Sequence, residues 1–333
     1  MSEHDRIEVV AIGNAIVDVI AEVDDGFLSR EGIEKGVMQL IDTERARTLY
    51  AAMPPAREIS GGSAANTIAG LAALGHRTAF VGKTRTDQLG RIFAHDIRAL
   101  GTLYDGPFID GEAGAAETAR CLVLVTPDGE RSMNTYLGVS GALVAGEIDE
   151  ALMARADWLY LEGYLFDSPE AKAAYERAIR AVRAAGGRVA FSVSDPFCVH
   201  RHRADMTRLI AEGVDLLFAN RAEALALYET DDLETALDRV AEAAPLAAVT
   251  LSEEGAIVVT ERGRFPVPAV PTRVADTTGA GDLFAAGFLA GVLRGREPMD
   301  CARMGAVAAA EIVSHLGARP EADLGRLMAE AGL

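Results

Sequence analysis

A short stretch near the C-terminus, Asp276–Asp282 (DTTGAGD), places a carboxylate between two glycines and an apolar helical pattern. Gly279 and Gly281 permit tight turns and close approach by a ligand. The unpaired N–H groups and the positive dipole end of the following helix form an anion site. Asp282 could simply cap that helix. It could also accept a proton from a hydroxyl that attacks a phosphoryl group held by the N–H groups. Both interpretations stay open at this point.

Two N-terminal stretches carry polar groups suited to a polyol. Ser60–Asn66 (SGGSAAN) offers two glycines, a hydroxyl and an amide before a helical pattern. The alternative to a polyol-binding loop is a glycine turn with a helix cap. Gly13–Asp18 (GNAIVD) follows the first predicted strand, and a carboxylate such as Asp18 can bind vicinal hydroxyls in a bidentate manner.

A third polar element, Asn220–Glu223 (NRAE), lies at a predicted strand-to-helix junction. Glu223 could organise Mg²⁺ through water, because Mg²⁺ prefers oxygen ligands and keeps several waters. An asparagine cap before a helix is the simpler interpretation.

Two common phosphate-binding motifs are excluded. Gly82-Lys83-Thr84 resembles the end of a P-loop, but Arg77 stands five residues before Gly82 where that motif requires glycine. Gly279-Ala280-Gly281 begins like a dinucleotide fingerprint, yet position 284 is phenylalanine and no strand immediately precedes the glycines. A Rossmann dehydrogenase and a P-loop NTPase are therefore not indicated.

The elements that position these residues alternate in type. Short β-branched runs predict strands at Ile7–Ile12, Thr78–Val81, Trp158–Leu161, Val189–Val193, Leu216–Phe218 and Ala248–Leu251. Alanine-rich helical patterns separate most of them, for example Ala64–Leu74, Pro169–Ala185, Arg221–Tyr228 and Leu233–Ala243. Strands interleaved with helices predict an α/β doubly wound, mainly parallel sheet with helices on both faces.

One region breaks this rhythm and predicts a small β-rich lid. Ala119–Val125 and Glu130–Leu137 flank Pro-Asp-Gly and indicate an antiparallel hairpin. Ile16–Val23 and Gly36–Ile41 are also strand-like. We expect one domain, residues 1–333, in which the lid is built from about 15–42 and 112–138. It would lie over the C-terminal edge of the sheet, where doubly wound folds bind ligands.

The composition restricts the partners. The net charge of −18 argues against nucleic acid as a partner, and no apolar run reaches the length of a membrane span. Three scattered cysteines, Cys121, Cys198 and Cys301, suggest neither a zinc site nor a disulfide framework. The N-terminal residues lack a basic signal-peptide region. We expect a cytoplasmic protein, monomeric or homodimeric, with a small-molecule substrate.

Taken together, the motifs resemble those of the PfkB family of ribokinase-like carbohydrate and nucleoside kinases. GGSAANTIAGLAALG is similar to the N-terminal signature of that family, and DTTGAGDLFAAGFLAG to its C-terminal signature. The resemblance implies a ribokinase-like fold, ATP and Mg²⁺ as cofactors, and transfer to a primary hydroxyl. A monovalent cation such as K⁺ is left open as a further cofactor.

The resemblance also implies residue roles. Asp282 is the expected base, and the anion hole consists of Gly279, Ala280 and Gly281. The residues expected to hold the sugar are Asn14, Asp18, Gly61, Gly62, Ser63 and Asn66. Those expected to hold the nucleotide are Asn220, Glu223, Thr250, Ser252, Gly255, Thr277, Gly279 and Gly281, with Glu223 also serving Mg²⁺ through water. The nucleotide-binding loop departs from the V-T-x-G-x-x-G pattern of the family, because Ser252 replaces the first glycine.

Three middle segments, WLYLEGYLFDSPE, FSVSDPFCVHRHR and VDLLFANRAEA, resemble the adenosine kinase-like branch. In that branch Tyr164 and Phe197 would contact a nucleobase; core packing is the alternative. Arg120 and Arg131 in the hairpin are candidates for phosphate contact, or solvated strand residues. The sequence thus predicts an ATP-dependent kinase of the 5′-hydroxyl of a nucleoside, with adenosine favoured. The alternatives are a kinase of ribose, fructose or 2-keto-3-deoxygluconate, and a catalytically silent ligand-binding protein.

Overall fold

The computed structural model describes residues 6–110 and 116–333. The strands, in chain order, are β1 (Ile7–Ile12), β2 (Ile16–Glu22), β3 (Met38–Leu40), β4 (Arg57–Gly61), β5 (Thr78–Val81), β6 (Thr84–Arg85), β7 (Phe108–Ile109), β8 (Ala119–Val125), β9 (Arg131–Tyr136), β10 (Ala156–Glu162), β11 (Arg188–Ser192), β12 (Leu216–Asn220), β13 (Leu246–Thr250), β14 (Ala256–Thr260) and β15 (Gly263–Val267). The α-helices are α1 (Asp25–Glu31), α2 (Thr43–Ala52), α3 (Ser63–Ala73), α4 (Gln88–Ala99), α5 (Glu150–Met153), α6 (Pro169–Ala184), α7 (Pro196–Gly213), α8 (Arg221–Tyr228), α9 (Leu233–Ala243), α10 (Ala280–Leu293), α11 (Pro298–Ile312) and α12 (Leu324–Glu330).

The main sheet has eight strands in the order β15-β14-β13-β12-β11-β10-β1-β5. The strands from β13 to β5 are parallel, whereas β14 and β15 extend the sheet as an antiparallel hairpin. Successive side chains of β1 enter different cores: Val9 and Ala11 face one, Val10 and Ile12 the other. Two buried faces require helices on both, so the predicted doubly wound, mainly parallel α/β fold is confirmed.

Close packing of three helices fixes the start of α10. This helix is apolar along most of its length and lies between α3 and α11. A Cβ atom at Gly70 would lie 2.6 Å from the Cβ of Ala286, and one at Gly287 would lie 2.5 Å from the carbonyl of Met304. Glycines therefore let the backbones approach closely. The first turn of α10, which carries Asp282, is held against the first turn of α3.

A second sheet has five strands in the order β3-β9-β8-β2-β4. The predicted hairpin is present as the antiparallel pair β8 and β9. The sheet also includes β4, Arg57–Gly61, which lies outside the predicted lid segments. Residues 112–115 of the second predicted segment lie outside the described residues, so the boundaries of the lid stay a prediction.

The two short strands of the antiparallel hairpin, β14 and β15, were not among the predicted strands. They join through a tight turn, and Pro266 in β15 is tolerated because that strand forms the edge of the sheet. The three cysteines are buried and unpaired. In the part of the chain that the structure describes, no helix is long and apolar enough to cross a membrane.

Candidate active site

A cavity of about 1160 Å³ opens at the carboxyl ends of the parallel strands. The residues that line it at or just after these strand ends are Asn14, Glu162, Ser192, Asn220 and Thr250. The second sheet closes the opposite side with Ile16, Asp18, Cys121, Met133 and Thr135. The cavity therefore lies where a doubly wound fold places its ligands, under a cover of β-strands.

Asp282 lies in the first turn of α10 and is half-buried in the cavity wall. Its Oδ1 accepts a hydrogen bond from Ser63 Oγ at 2.6 Å, and its Oδ2 accepts one from Asn66 Nδ2 at 2.9 Å. Burial raises the pKa of Asp282, while these two donors and the charge of Arg319 act in the opposite direction. The two family signatures thus meet at one carboxylate. Ser63 and Asn66, both expected at the sugar, contact Asp282 in this structure.

The glycines before Asp282 form a concave backbone loop. Gly279 has a φ of 77°, in the left-handed region, and a Cβ there would lie 2.8 Å from the Cβ of Ala318. A Cβ at Gly281 would meet no atom within 4 Å, so this glycine faces open space in the cavity. Ala280 donates its N–H to the carbonyl of Thr277, at 3.2 Å, whereas the N–H groups of Gly281 and Asp282 have no backbone acceptor among the described residues. Those two N–H groups are available to an anion.

Asp276 shapes the same loop from beneath, a role that was not assigned from the sequence. Its buried carboxylate accepts hydrogen bonds from the N–H groups of Thr278 and Gly317, each at 2.8 Å. Arg131 of the second sheet pairs with Asp276 and donates to Thr278 Oγ1 at 2.7 Å. The loop is therefore fixed by contacts from two distant segments.

Asp18, on β2, faces the cavity from the second sheet. Burial raises the pKa of its carboxyl to about 7, with Asp282 and Asp276 adding to the rise and Arg319 and Arg131 opposing it. A Cβ at Gly61 would overlap the Asp18 carboxylate, and one at Gly62 would overlap the carbonyl of Asn14. The glycine pair thus leaves room for the carboxylate and for the neighbouring backbone.

Asn14 is held by hydrogen bonds to Glu162 and Ser140 within the protein. Its N–H and its Nδ2 donate to Glu162 Oε1 at 2.8 and 2.9 Å, and its Oδ1 accepts from Ser140 Oγ at 2.9 Å. Glu162 Oε2 accepts the N–H of Ala64 at 2.8 Å. Asn14 lines the cavity, but its side chain holds the wall together in this structure.

Glu162 was missed in the sequence analysis. It is completely buried at the end of β10, and burial raises its pKa to about 7. The available signal was a carboxylate directly after the apolar strand residues Trp158–Leu161, in a position where parallel strands present ligands. Arg319 was also missed, since nothing near it in the sequence suggests that it reaches the loop at Ser60.

Asn220 and Glu223 form a reciprocal helix cap at α8. Glu223 N–H donates to Asn220 Oδ1 at 2.9 Å, and Asn220 N–H donates to Glu223 Oε2 at 2.9 Å. Burial raises the pKa of Glu223 to about 7, and the charges of Asp195 and Asp282 raise it further. The capping interpretation is confirmed by this geometry, and both residues line the cavity.

The site suits Mg²⁺ bound through water. In residues 6–110 and 116–333 no group of three or more potential metal-binding side chains occurs. Mg²⁺ needs no such group, because it commonly takes one or two carboxylates, waters and substrate phosphates. Each oxygen of Glu223 accepts one hydrogen bond from Asn220, which leaves capacity for a metal-bound water. A divalent cation would also offset the crowded negative charge at Glu223.

The loop after β13 has serine at position 252, where the family pattern has glycine, and it keeps the backbone conformation that glycine favours. Ser252 has a φ of 55° and Gly255 a φ of 99°, both in the left-handed region. Ser252 therefore adopts a conformation that glycine would adopt without strain. Thr250, Ser252, Gly255 and Thr277 all line the cavity.

Two aromatic residues lie at the other end of the cavity. Tyr164 is half-buried and donates its hydroxyl to the carbonyl of Ser194 at 3.2 Å. Phe197, in the first turn of α7, is 66% exposed although it is a large apolar side chain. Core packing therefore does not account for Phe197, whereas Tyr164 packs partly against one of the cores.

The two lid arginines occupy different environments. Arg131 reaches the anion loop, as described above. Arg120 pairs with Glu117 and lies over the rings of Tyr50 and Tyr136, so it is not part of the cavity wall. Of the two candidates for phosphate contact, only Arg131 is near the loop.

Comparison with known proteins identifies the family. A sequence profile of the pfkB family carbohydrate kinases matches residues 37–323. The chain belongs to the pfkB family. This pfkB kinase is therefore a phosphotransferase that acts on a hydroxyl group.

Solved structures of similar proteins agree with this fold. The adenosine kinase from Sinorhizobium meliloti is 49% identical, with a TM-score of 0.91 over 98% of this chain and 99% of that chain. A probable sugar kinase from Rhizobium etli CFN 42 is 47% identical, with a TM-score of 0.90 over the same shares. The adenosine kinase of Saccharomyces cerevisiae is 25% identical over 335 residues, 93% of this chain and 95% of that protein.

Proposed function

We propose that this pfkB kinase transfers the γ-phosphoryl group of ATP to the 5′-hydroxyl of a nucleoside, with adenosine as the favoured acceptor. The observation that carries the proposal is the position of Asp282. Its carboxylate lies between the open N–H groups of Gly281 and Asp282 and the polar groups around Asp18, in the wall of one cavity. An acceptor hydroxyl and a phosphoryl group held at these two places would meet at its carboxylate.

The proposed mechanism follows from this geometry. Asp18 binds sugar hydroxyls as an acceptor, and Asp282 takes the proton of the attacking hydroxyl. The N–H groups of Gly281 and Asp282 stabilise charge on the phosphoryl oxygens. Ser63 and Asn66 orient the base. Mg²⁺, held through water at Glu223, would supply positive charge beside the phosphates. The second sheet excludes water, so that ATP is not lost to hydrolysis.

The charge pattern of the cavity favours a nucleoside over a sugar acid. Among the described residues Arg201 is the only lysine or arginine in the cavity lining. Its Nε and Nη2 donate to the two oxygens of Asp167 at 2.9 and 2.8 Å, so its charge is neutralised. A sugar acid would find no free cation there. The exposed ring of Phe197 instead offers a stacking surface for a base.

The relatives support a small-molecule kinase, but their names differ in the acceptor. The solved structures at 49% and 47% identity are named adenosine kinase and probable sugar kinase. A second candidate acceptor is therefore a free sugar such as ribose or fructose, which the polar groups around Asp18 would also suit. The cytoplasmic setting and the choice between monomer and homodimer remain predictions, and a monovalent cation such as K⁺ stays open as a further cofactor.

Product analysis tests the proposal. The protein is incubated with ATP, Mg²⁺ and adenosine, and the products are separated and examined by ³¹P NMR. We expect ADP and adenosine 5′-monophosphate in equal amounts, and no product in the presence of EDTA. Formation of a phosphate ester at another position, or consumption of ATP without an adenosine product, would reject the proposal.

A further inference from the structure

Three consecutive residues, Gly317–Arg319, contact both signature loops. Gly317 donates its N–H to Asp276 Oδ2 at 2.8 Å, and Ala318 lies directly against Gly279. Arg319 extends in the other direction, toward the loop at Ser60. Just after this tripeptide, the buried Oε1 of Glu311 accepts the N–H groups of residues 321 and 322 at 2.9 and 2.8 Å. The tripeptide itself links the two loops from beneath the site.

Arg319 joins the second sheet to the main domain. Its Nε donates to the carbonyl of Ser60 at 2.9 Å, and its Nη1 donates to the carbonyl of Ala65 at 2.6 Å. Ser60 is on β4 of the second sheet, whereas Ala65 is in α3 of the main domain. Between them lie Gly61 and Gly62, and Gly62 has a φ of 96°. The guanidinium of Arg319 therefore bridges the two sides of Gly61–Gly62, the joint that leads to Ser63 and Asn66.

The charge of Arg319 is not neutralised by a direct ion pair. Among the described residues no carboxylate lies within 4 Å of its nitrogens. Its hydrogen bonds go to Ser60 and Ala65 instead. The carboxylates whose charge acts on Arg319 are those of Asp18, Asp282 and Asp96. The first two face the cavity, and the third accepts the N–H of Ser60 at 3.1 Å.

The surroundings of Asp18 and Asp282 are crowded with negative charge. The charged or titratable groups that face Asp18 are Arg319, Arg131, Asp282, Asp276 and Cys121. Those that face Asp282 are Asp18, Arg319, Glu162, Glu223, Tyr160 and Tyr164. Against these carboxylates stand two cations, Arg131 and Arg319. Arg131 is paired with Asp276. Arg319 is thus the unpaired cation of the group.

We propose that Arg319 is a positioning residue for phosphoryl transfer: it fastens the Gly61–Gly62 joint, and its charge favours the ionised form of Asp18 and Asp282. The inference rests on the proposed function, in which the former binds hydroxyls and the latter acts as base. Both roles require the carboxylate form, which burial among like charges disfavours. Removing the guanidinium should raise the pKa of both carboxyls, so that higher pH is needed for activity.

Three substitutions separate the charge from the hydrogen bonds. Arg319→Met removes both, Arg319→Gln removes the charge and keeps a donor, and Arg319→Lys keeps the charge with a single donor group. The matched control is Arg294→Met. Arg294 donates from Nη2 to the carbonyl of Leu74 at 2.9 Å, between the far ends of α10 and α3. If the methionine variant does not fold, the glutamine variant carries the same test.

Two readouts are needed, one of them independent of activity. The first is the ¹³C NMR titration of the Asp18 and Asp282 carboxyls in the unliganded protein, assigned with Asp18→Asn and Asp282→Asn. The second is the pH profile of kcat/KM for phosphorylation of adenosine. Absence of turnover in the wild-type protein would count against the proposed function alone, because the titration would still report on Arg319.

In Arg319→Met and Arg319→Gln we expect both carboxyl pKa values, and the acidic limb of kcat/KM, to move upward by about one pH unit. On that limb kcat/KM falls about tenfold and is regained at higher pH. In Arg319→Lys the limb stays in place while the KM of the acceptor rises. The control variant, Arg294→Met, should have the carboxyl pKa values, the pH profile and the KM of the wild-type protein. Unchanged carboxyl pKa values in Arg319→Met, or an equal loss at every pH, would overturn the electrostatic role. An unchanged KM in Arg319→Lys would overturn the fastening role.

Discussion

A carboxylate in the first turn of a helix is ordinarily a stabilising feature of that helix. Asp282 has this position, yet its two oxygens are turned toward Ser63 and Asn66 of another helix, and it lines a cavity. The capping interpretation is wrong, because the N-cap of α10 is Gly279 and no side chain caps it; Asp282 acts on this helix only as a negative charge near its N-terminus. The helix start that favours an acid is also the place where free N–H groups attract a phosphoryl group.

A comparison of two first-turn carboxylates separates these roles. We expect Asp282→Asn to lower kcat by about 10²–10⁴-fold, because the asparagine cannot accept a proton. Nucleoside binding, measured by calorimetry, should change little. The control is Asp300→Asn: Asp300 lies in the first turn of α11, where it pairs with Arg303 outside the cavity. Equal kcat values for the two variants would leave Asp282 with only a structural role, as the acceptor of the hydrogen bonds from Ser63 and Asn66.

The pH dependence follows from the raised pKa values of Asp18, Glu162 and Glu223, each about 7. Ionised Asp18 is the form that accepts sugar hydroxyls, so kcat/KM should fall as the pH falls through about 7.

The free energy of unfolding should depend on pH in the opposite direction, because these carboxyls bind protons more tightly in the folded state. Between about pH 4 and pH 7 the folded state keeps protons that the unfolded state releases, so the free energy of unfolding falls as pH rises. Urea unfolding across this range checks the sign; a rise would contradict it.

At the scale of the elements, the site depends on how closely β4 approaches β2. The main chain at Gly61 passes directly over the carboxylate of Asp18, and an added methyl group would displace that carboxylate. The glycine is therefore required for space rather than for backbone freedom.

We expect Gly61→Ala to raise the KM of the acceptor by about ten- to a hundredfold, which corresponds to the loss of one charged hydrogen bond. Gly146→Ala is the control, since a Cβ at Gly146 meets no atom within 4 Å and its backbone is ordinary. Steady-state kinetics with the nucleoside varied distinguish the two. If both variants kept the wild-type KM, Asp18 would not hold the acceptor.

The contact between the second sheet and the anion loop depends on Arg131. Arg131→Gln removes its ion pair with Asp276, and we expect kcat to fall about tenfold or more, because small displacements of reacting groups are costly. Arg120→Gln, on the same hairpin, removes a pair with Glu117 away from the cavity and should leave kcat unchanged. Comparable losses of kcat in the two variants would argue against a specific role for the loop contact.

Site residues could be predicted from the sequence where they are neighbours in the chain. The loop around Asp282 and the loop around Gly61 are each a short continuous segment, and their polar residues and glycines were sufficient to propose a common site. Glu162 and Arg319 act from remote segments, so only the folded chain reveals that they hold Asn14 and Ser60. The strand Arg57–Gly61 was not predicted because it is short and ends in glycine.

At the scale of the whole molecule, the proposed function requires an acidic protein to bind a highly charged nucleotide. The net charge of −18 is offset at the site by N–H groups and a few local cations, and the proposed Mg²⁺ would add to them. In the proposed assignment, the loops at the main sheet hold the anion and the nucleotide, and the second sheet contributes Asp18 and the apolar residues on the opposite side of the cavity. The choice of acceptor therefore depends on what fits between the two sheets.

The most direct test of the account is the ratio of kcat/KM for adenosine to that for free ribose, measured by ADP release with saturating MgATP. Fructose and 2-keto-3-deoxygluconate complete the panel, and Asp282→Asn serves as the background. We expect adenosine to be preferred by about a hundredfold or more, since the base adds contacts at Phe197 and Tyr164 that ribose lacks. A ratio of one or less, or a higher kcat/KM for a sugar acid, would contradict the assignment of this cavity to a nucleoside.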